Sequence, residues 1–188
     1  LGWNFSGGAA ALEGLSLVVG LALAKALSDL GVQEVKLKWP NDILVDGKKL
    51  AGILLEMRGD ATGPCHVVIG MGLNVHLTQN DAIDQPWISL CQLGYNLTRN
   101  DIVAQILLRL HQHLALFVQH GFSVMRHQWQ QLHYYQDKNV QLLLPGRQVE
   151  GVCRGVNQVG ALMMEFDGVL KAYSGGEISV RPLGGAYE

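Results

Sequence analysis

Lys49 is the residue where any chemistry in this sequence has to begin. It opens the almost wholly apolar run Leu50-Ala51-Gly52-Ile53-Leu54-Leu55, so its ammonium is expected at the rim of a buried sheet. A cation at such a rim receives anions. Gly52 lets a ligand or a second backbone come close to a strand, and Gly70-Met71-Gly72 repeats that feature after the apolar Val67–Ile69. Two strands then offer a flat floor with few side chains. Asn74, just beyond, carries a donor and an acceptor, the pair that reading a purine edge or an amide requires. Each feature alone has an ordinary reading, since a lysine before a strand is usually a solvated strand end and glycines in strands are often bulges.

The elements that must position these residues follow from pattern. Val35 to Lys38 alternates apolar and basic residues as a half-buried strand does, and Trp39-Pro40-Asn41-Asp42 stops it, because proline cannot donate to a ladder. Ile43–Val45, the pair Asp46-Gly47 and the run from Leu50 predict two antiparallel strands joined by a two-residue turn. Upstream, the run from about Ala9 to Leu30 is apolar on nearly every face and stops at Gly31, which predicts one long helix buried across the sheet. Its length approaches a membrane span, but Glu13, Ser16, Lys25, Ser28 and Asp29 interrupt it, and a span needs about 20 mostly apolar residues.

Residues 76–86 are polar and read as a loop closing on Trp87. Residues 88–93 suggest a short helix, and Thr98 caps a long one whose Ile102, Ile106, Leu110, Leu114 and Phe117 recur at helical spacing up to Gly121. His111 and His113, two apart, point to different faces of that helix and do not make a metal pair. Another helix is expected over 123–131, with Trp129 in the core. From Asn139 the pattern changes to five short strands separated by turn residues every eight to ten positions, the mark of a small all-β module.

The chain has 188 residues, 48% of them hydrophobic, and a formal charge of −2. This is ample for a folded core. Without a basic cluster it presents no nucleic-acid surface, which needs concentrated Lys and Arg. Cys65, Cys91 and Cys153 are far apart and not in metal-ligand spacing, so free thiols in a cytoplasmic protein are expected.

Three motifs acquire meaning together: KWPND with Lys49 seven positions beyond its aspartate, GMGLN with Asn74, and SGGEISVR near the end. From about Leu15 to Arg181 the sequence resembles the central domain of biotin protein ligases, including the bifunctional class that doubles as the biotin operon repressor. The resemblance implies an α+β fold over residues 1–136, a mixed β-sheet packed with helices, class II aminoacyl-tRNA-synthetase-like and of biotin/lipoate ligase type. Residues 137–188 are then a small SH3-like β-barrel. The implied reaction activates biotin with Mg-ATP to biotinyl-5'-AMP and passes the biotinyl group to a lysine of biotin carboxyl carrier protein.

The resemblance also assigns roles. Lys49, Asp42 and Asn41 are the catalytic candidates. Lys49, Gly52, Ile53, Leu54, Gly70 and Gly72 are expected to bind biotin, and Asn74, Trp87, Ile83 and Arg181 the nucleotide. Trp87 equally suits a loop anchored to the core. No protein cage for a metal and no tightly bound cofactor are expected; magnesium comes with ATP, and Asp42 is its candidate contact, since oxygen ligands suit that ion. Glu177 and Arg181 are expected to pair across the domain boundary. Homodimerisation is an expectation, and DNA contact is expected only through a winged helix upstream of Leu1.

The family's arginine-rich loop and its ureido-recognising residues also precede Leu1 in the pattern, which predicts weak biotin binding and little ligase activity for residues 1–188 alone. Two alternatives stand beside this reading: a lipoate or octanoate ligase or transferase of the same fold, and a non-catalytic effector-binding and dimerisation module.

Overall fold

The row of cross-strand partners Leu37, Ile43, Ala51 and Leu73 explains where the helices lie. In the computed structural model, which describes residues 1–59, 62–79, 85–175 and 178–183, this row points toward α1 (Leu15–Asp29). The strands that carry it are β2 (Lys36–Lys38), β3 (Asp42–Val45), β4 (Lys48–Gly59) and β5 (Cys65–Leu73). With β1 (Gly2–Phe5) they form an antiparallel sheet in the order β1-β5-β4-β3-β2. α1 lies against these strands at ordinary packing distance: a Cβ on Gly20 would lie 3.6 Å from both Ile53 Cδ1 and Leu37 Cδ2. A second helix, α2 (Arg99–His120), packs on α1 and buries the Ile102, Ile106, Leu110, Leu114 and Phe117 stripe. Its N-cap is as expected, with the Thr98 side chain accepting from Asp101 N.

Three details differ from the sequence reading. The stretch from Ala9 breaks in two, a 3₁₀ turn at Ala9–Leu12 and then α1, because Gly14 takes φ +79° just before the helix starts. That stretch is long and apolar enough to cross a membrane, yet α1 buries eleven of its residues in the core. Strand β5 runs through Gly70-Met71-Gly72 instead of stopping at Ile69, so the glycines are mid-strand and paired. Residues 88–93 form no helix; residues 90–94 are turns, held by Ser89 and Gln92.

After α3 (Arg126–Leu132), five strands form a second antiparallel sheet. They are β6 (Asn139–Leu144), β7 (Arg147–Val156), β8 (Leu162–Phe166), β9 (Val169–Tyr173) and β10 (Ser179–Pro182), in the order β10-β6-β7-β8-β9. The two sheets share one hydrophobic core. Their junction is specific: Trp39 Nε1 donates to Gly160 O at 3.0 Å, and Tyr134 N donates to Leu37 O at 2.8 Å. Gly160, at φ +84°, is so close that a Cβ would stand 2.9 Å from Gly14 Cα.

Candidate functional site

On the sheet face away from α1, antiparallel register lines up Lys38, Asp42, Gly52 and Gly72 in one row across four strands. Lys49 belongs to that face only because of an irregularity. In a regular strand, residues 49 and 52 point to opposite sides. Between Ile43/Ala51 and Leu44/Lys49 the register slips, leaving Leu50 as the extra residue of a β-bulge. The slip turns Lys49 onto the same side as Asp42 and Gly52.

The resulting geometry is close. Lys49 Nζ lies 2.6 Å from Asp42 Oδ1, while Lys38 Nζ reaches Asp42 Oδ2 at 3.4 Å. The first contact is an ion pair and not an aligned hydrogen bond, as Oδ1 has no directed donor among the described residues. The Lys49 stem folds over Gly52, with Cε 3.1 Å and Nζ 3.2 Å from where a Cβ would stand. No described atom comes within 4 Å of that point on Gly72. One glycine thus accommodates the lysine and its cross-strand partner is bare floor.

The backbone of Lys49 is gripped from a second side. Lys49 N donates to Pro86 O at 2.9 Å and Ile88 N to Lys49 O at 3.0 Å, so residues 86–88 run parallel to the start of β4 with Trp87 opposite Lys49. Asn74 locks this strap. Its amide nitrogen donates to Ile88 O at 3.1 Å and Lys49 O at 3.4 Å. The side-chain donor assigned from sequence to a purine edge is therefore occupied with backbone carbonyls. Asn41 is similarly engaged: its Nδ2 donates to Ile53 O at 2.8 Å, and its own carbonyl accepts from Ile53 N.

The structure thus brings Lys49, Asp42, Asn41 and Arg181 to one polar cavity of about 380 Å³, with Lys38 and Gln85. Gly52 and Gly72 lie on the adjoining sheet face. Leu54 and Gly70, paired one step along, share that face, and Leu54 is 64% exposed. Ile53 does not share it: its side chain turns into the core against α1. Trp87 is half-buried in the strap. Ile83 and Glu177 lie outside the described residues. His113 gives its ring to Arg109 O at 2.7 Å and His111 lies edge-on to Trp3, two separate environments.

Lys38, the first residue of KWPND, is the functional candidate to which the sequence reading gave no role. It is 7% exposed, and burial pulls its pKa below the usual lysine value against the opposing pull of Asp42. The available signal was the hairpin itself, since two strands meeting around Trp39-Pro40-Asn41 place Lys38 opposite Asp42.

Comparison with known proteins shows what the chain resembles. The model of the biotin/lipoate A/B protein ligase family matches residues 5–74. Bifunctional ligase/repressor BirA of Salmonella typhimurium is 40% identical over 181 residues, covering 95% of this chain and 57% of that protein. Over nearly its whole length the chain is similar to biotin protein ligases. The Escherichia coli BirA is 38% identical over 181 residues, 95% of this chain and 56% of the relative. The chain therefore spans somewhat more than half the length of the curated relatives it matches. Among solved structures, the biotin protein ligase of Aquifex aeolicus in complex with biotin and ATP superposes with a TM-score of 0.80 at 25% identity, over 97% of this chain and 78% of that one. The catalytic-type fold of these ligases, helices packed on one sheet with a second sheet following, is the fold of this chain.

Proposed function

We propose that this chain carries the adenylate-forming site of a biotin protein ligase. The reaction joins the biotin carboxylate to the α-phosphate of ATP, releasing pyrophosphate, and then transfers the biotinyl group to a lysine amine of biotin carboxyl carrier protein, releasing AMP. The observation that carries the reading is the ammonium of Lys49 folded over Gly52 beside the bare Gly72, at the mouth of a cavity lined by further cations. The names of the BirA relatives and the biotin and ATP of the Aquifex complex support it.

Each part has a task in this reading. Apolar Leu54 and the glycine row at 52, 70 and 72 accept the flat bicyclic ring of biotin at close range, with backbone as the floor. Ile53 and Asn41 contribute through the backbone they brace. Lys49 meets the negative charge that concentrates on the acyl phosphate in both steps, and a preorganised cation in a water-poor site stabilises that charge better than water does. Arg181 brings a third cation from β10, and Trp87 offers an aromatic plane to the base. Magnesium arrives with ATP, with Asp42 as the nearby carboxylate. Residues 1–136 form the ligase unit and residues 137–188 an SH3-like unit that supplies Arg181. An ATP-consuming reaction and three free cysteines suit the cytoplasm.

The test is biotin-dependent exchange of pyrophosphate into ATP, in the complete protein, for wild type and Lys49→Ala. The variant is expected to keep its melting temperature and lose about a hundredfold or more in exchange rate. Equal exchange in the two proteins, or exchange supported by lipoate as well as by biotin, overturns the assignment.

A further inference from the structure

Asp42 faces two ammonium groups, and the two are not equivalent. Lys38 is fixed: it is 7% exposed and stands directly opposite Asp42 in the β2–β3 hairpin. Lys49 is movable: its side chain is 29% exposed, on a four-carbon stem folded over Gly52. The Asp42 side chain is only 11% exposed. A buried carboxylate left without a counter-ion is strongly unfavourable. If Lys49 were its single partner, an incoming anion would have to compete with Asp42 for that ammonium.

We propose that Lys38 is a positioning residue, holding Asp42 from the Oδ2 side so that Lys49 is released from Oδ1 to an anion entering the cavity. The cavity holds one more cation than Asp42 and Lys38 require between them, even before Arg181 is considered. Lys38 acts through Asp42 and does not touch the ligand. The inference rests on the reading above that the cavity takes a phosphate-bearing ligand, and it gives a role to Lys38, which opens the KWPND motif but received none from it.

Inorganic pyrophosphate, titrated calorimetrically into the purified protein without biotin, tests this separately from the biotin assignment. The expected result is binding by wild type, binding about tenfold weaker in Lys38→Met, and near-wild-type binding in Lys38→Arg. Asp42→Asn is expected to bind at least as tightly as wild type, and adding Lys38→Met to it to change affinity less than about twofold. Should Lys38→Met not fold, Lys38→Gln takes its place in the same cycle. An equal loss from Lys38→Met in both backgrounds overturns the proposal, because Lys38 would then contact the anion itself. So does an unchanged affinity in Lys38→Met, or no pyrophosphate binding by wild type. Failure of biotin to bind in a parallel titration sinks the ligase reading but leaves this result standing.

Discussion

At the scale of single residues, the site depends on what is missing from Gly72 as much as on the charge of Lys49. A side chain on Gly72 would project from an extended strand into open space, so it carries no folding penalty. Replacing glycine in a compatible conformation stabilises by about 0.4–1 kcal/mol. Gly72→Val is therefore expected to melt at or above the wild-type temperature while weakening biotin about tenfold or more, since the isopropyl group occupies the floor. Calorimetric titration beside a thermal melt separates these effects. Unchanged biotin affinity would place the ring elsewhere. Gly52 is different, because a methyl group there would meet the Lys49 stem at 3.1 Å and shift the cation as well as the floor. Motif and glycine spacing disclosed Lys49, Gly52 and Gly72, but not that Lys49 and Gly52 share a face; that depends on the bulge at Leu50, which simple alternation does not reveal.

At the scale of elements, the strap from 86 to 91 is a backbone ladder closed by a side chain. Leu90 N bonds Asn74 O and Cys91 N bonds Val75 O, while the Asn74 amide spans to Ile88 and Lys49. Removing that amide leaves the part-buried Ile88 carbonyl without its side-chain donor, at a cost of about 1–3 kcal/mol, while Lys49 O keeps Ile88 N. Asn74→Ala is expected to show that loss in urea unfolding, together with faster amide exchange at Lys49 and Ile88. Wild-type exchange at both would mean the strap holds without its lock. The sequence marked Asn74 as a donor and acceptor suited to a purine edge or an amide, and its donor is engaged in the strap. It could not show that the partner is the protein's own backbone, because residues 49 and 88 meet Asn74 only in the folded chain. The strand spacing of residues 139–182 was far more legible, since alternation and turn residues are local signals.

At the scale of the molecule, the seam between the sheets and the cavity they share govern behaviour. His133 lies in that seam, 5% exposed, bridged to Leu37 and stacked near Trp129, with neither ring nitrogen hydrogen-bonded among the described residues. Burial pushes its pKa down from 6.5 to about 3. The unfolded chain thus takes up this proton first, so the stabilisation is complete above about pH 6.5 and is lost as pH falls from there toward about 3. The melting temperature is expected to drop by roughly 5 °C or more between pH 6.5 and 4.5, and His133→Phe to flatten that slope. Parallel profiles for the two proteins would remove His133 as the cause. Nothing in the sequence around His133 announces this burial, which arises where two separately legible sheets meet. The cavity beside the seam carries the central claim, that Lys49 above a glycine floor holds a biotinyl adenylate. Equilibrium titration with a non-hydrolysable sulfamoyl analogue of biotinyl adenylate tests it most directly: saturable one-to-one binding is expected, weakened about a hundredfold in Lys49→Ala, whereas equal affinity in the two proteins, or none in wild type, would contradict it.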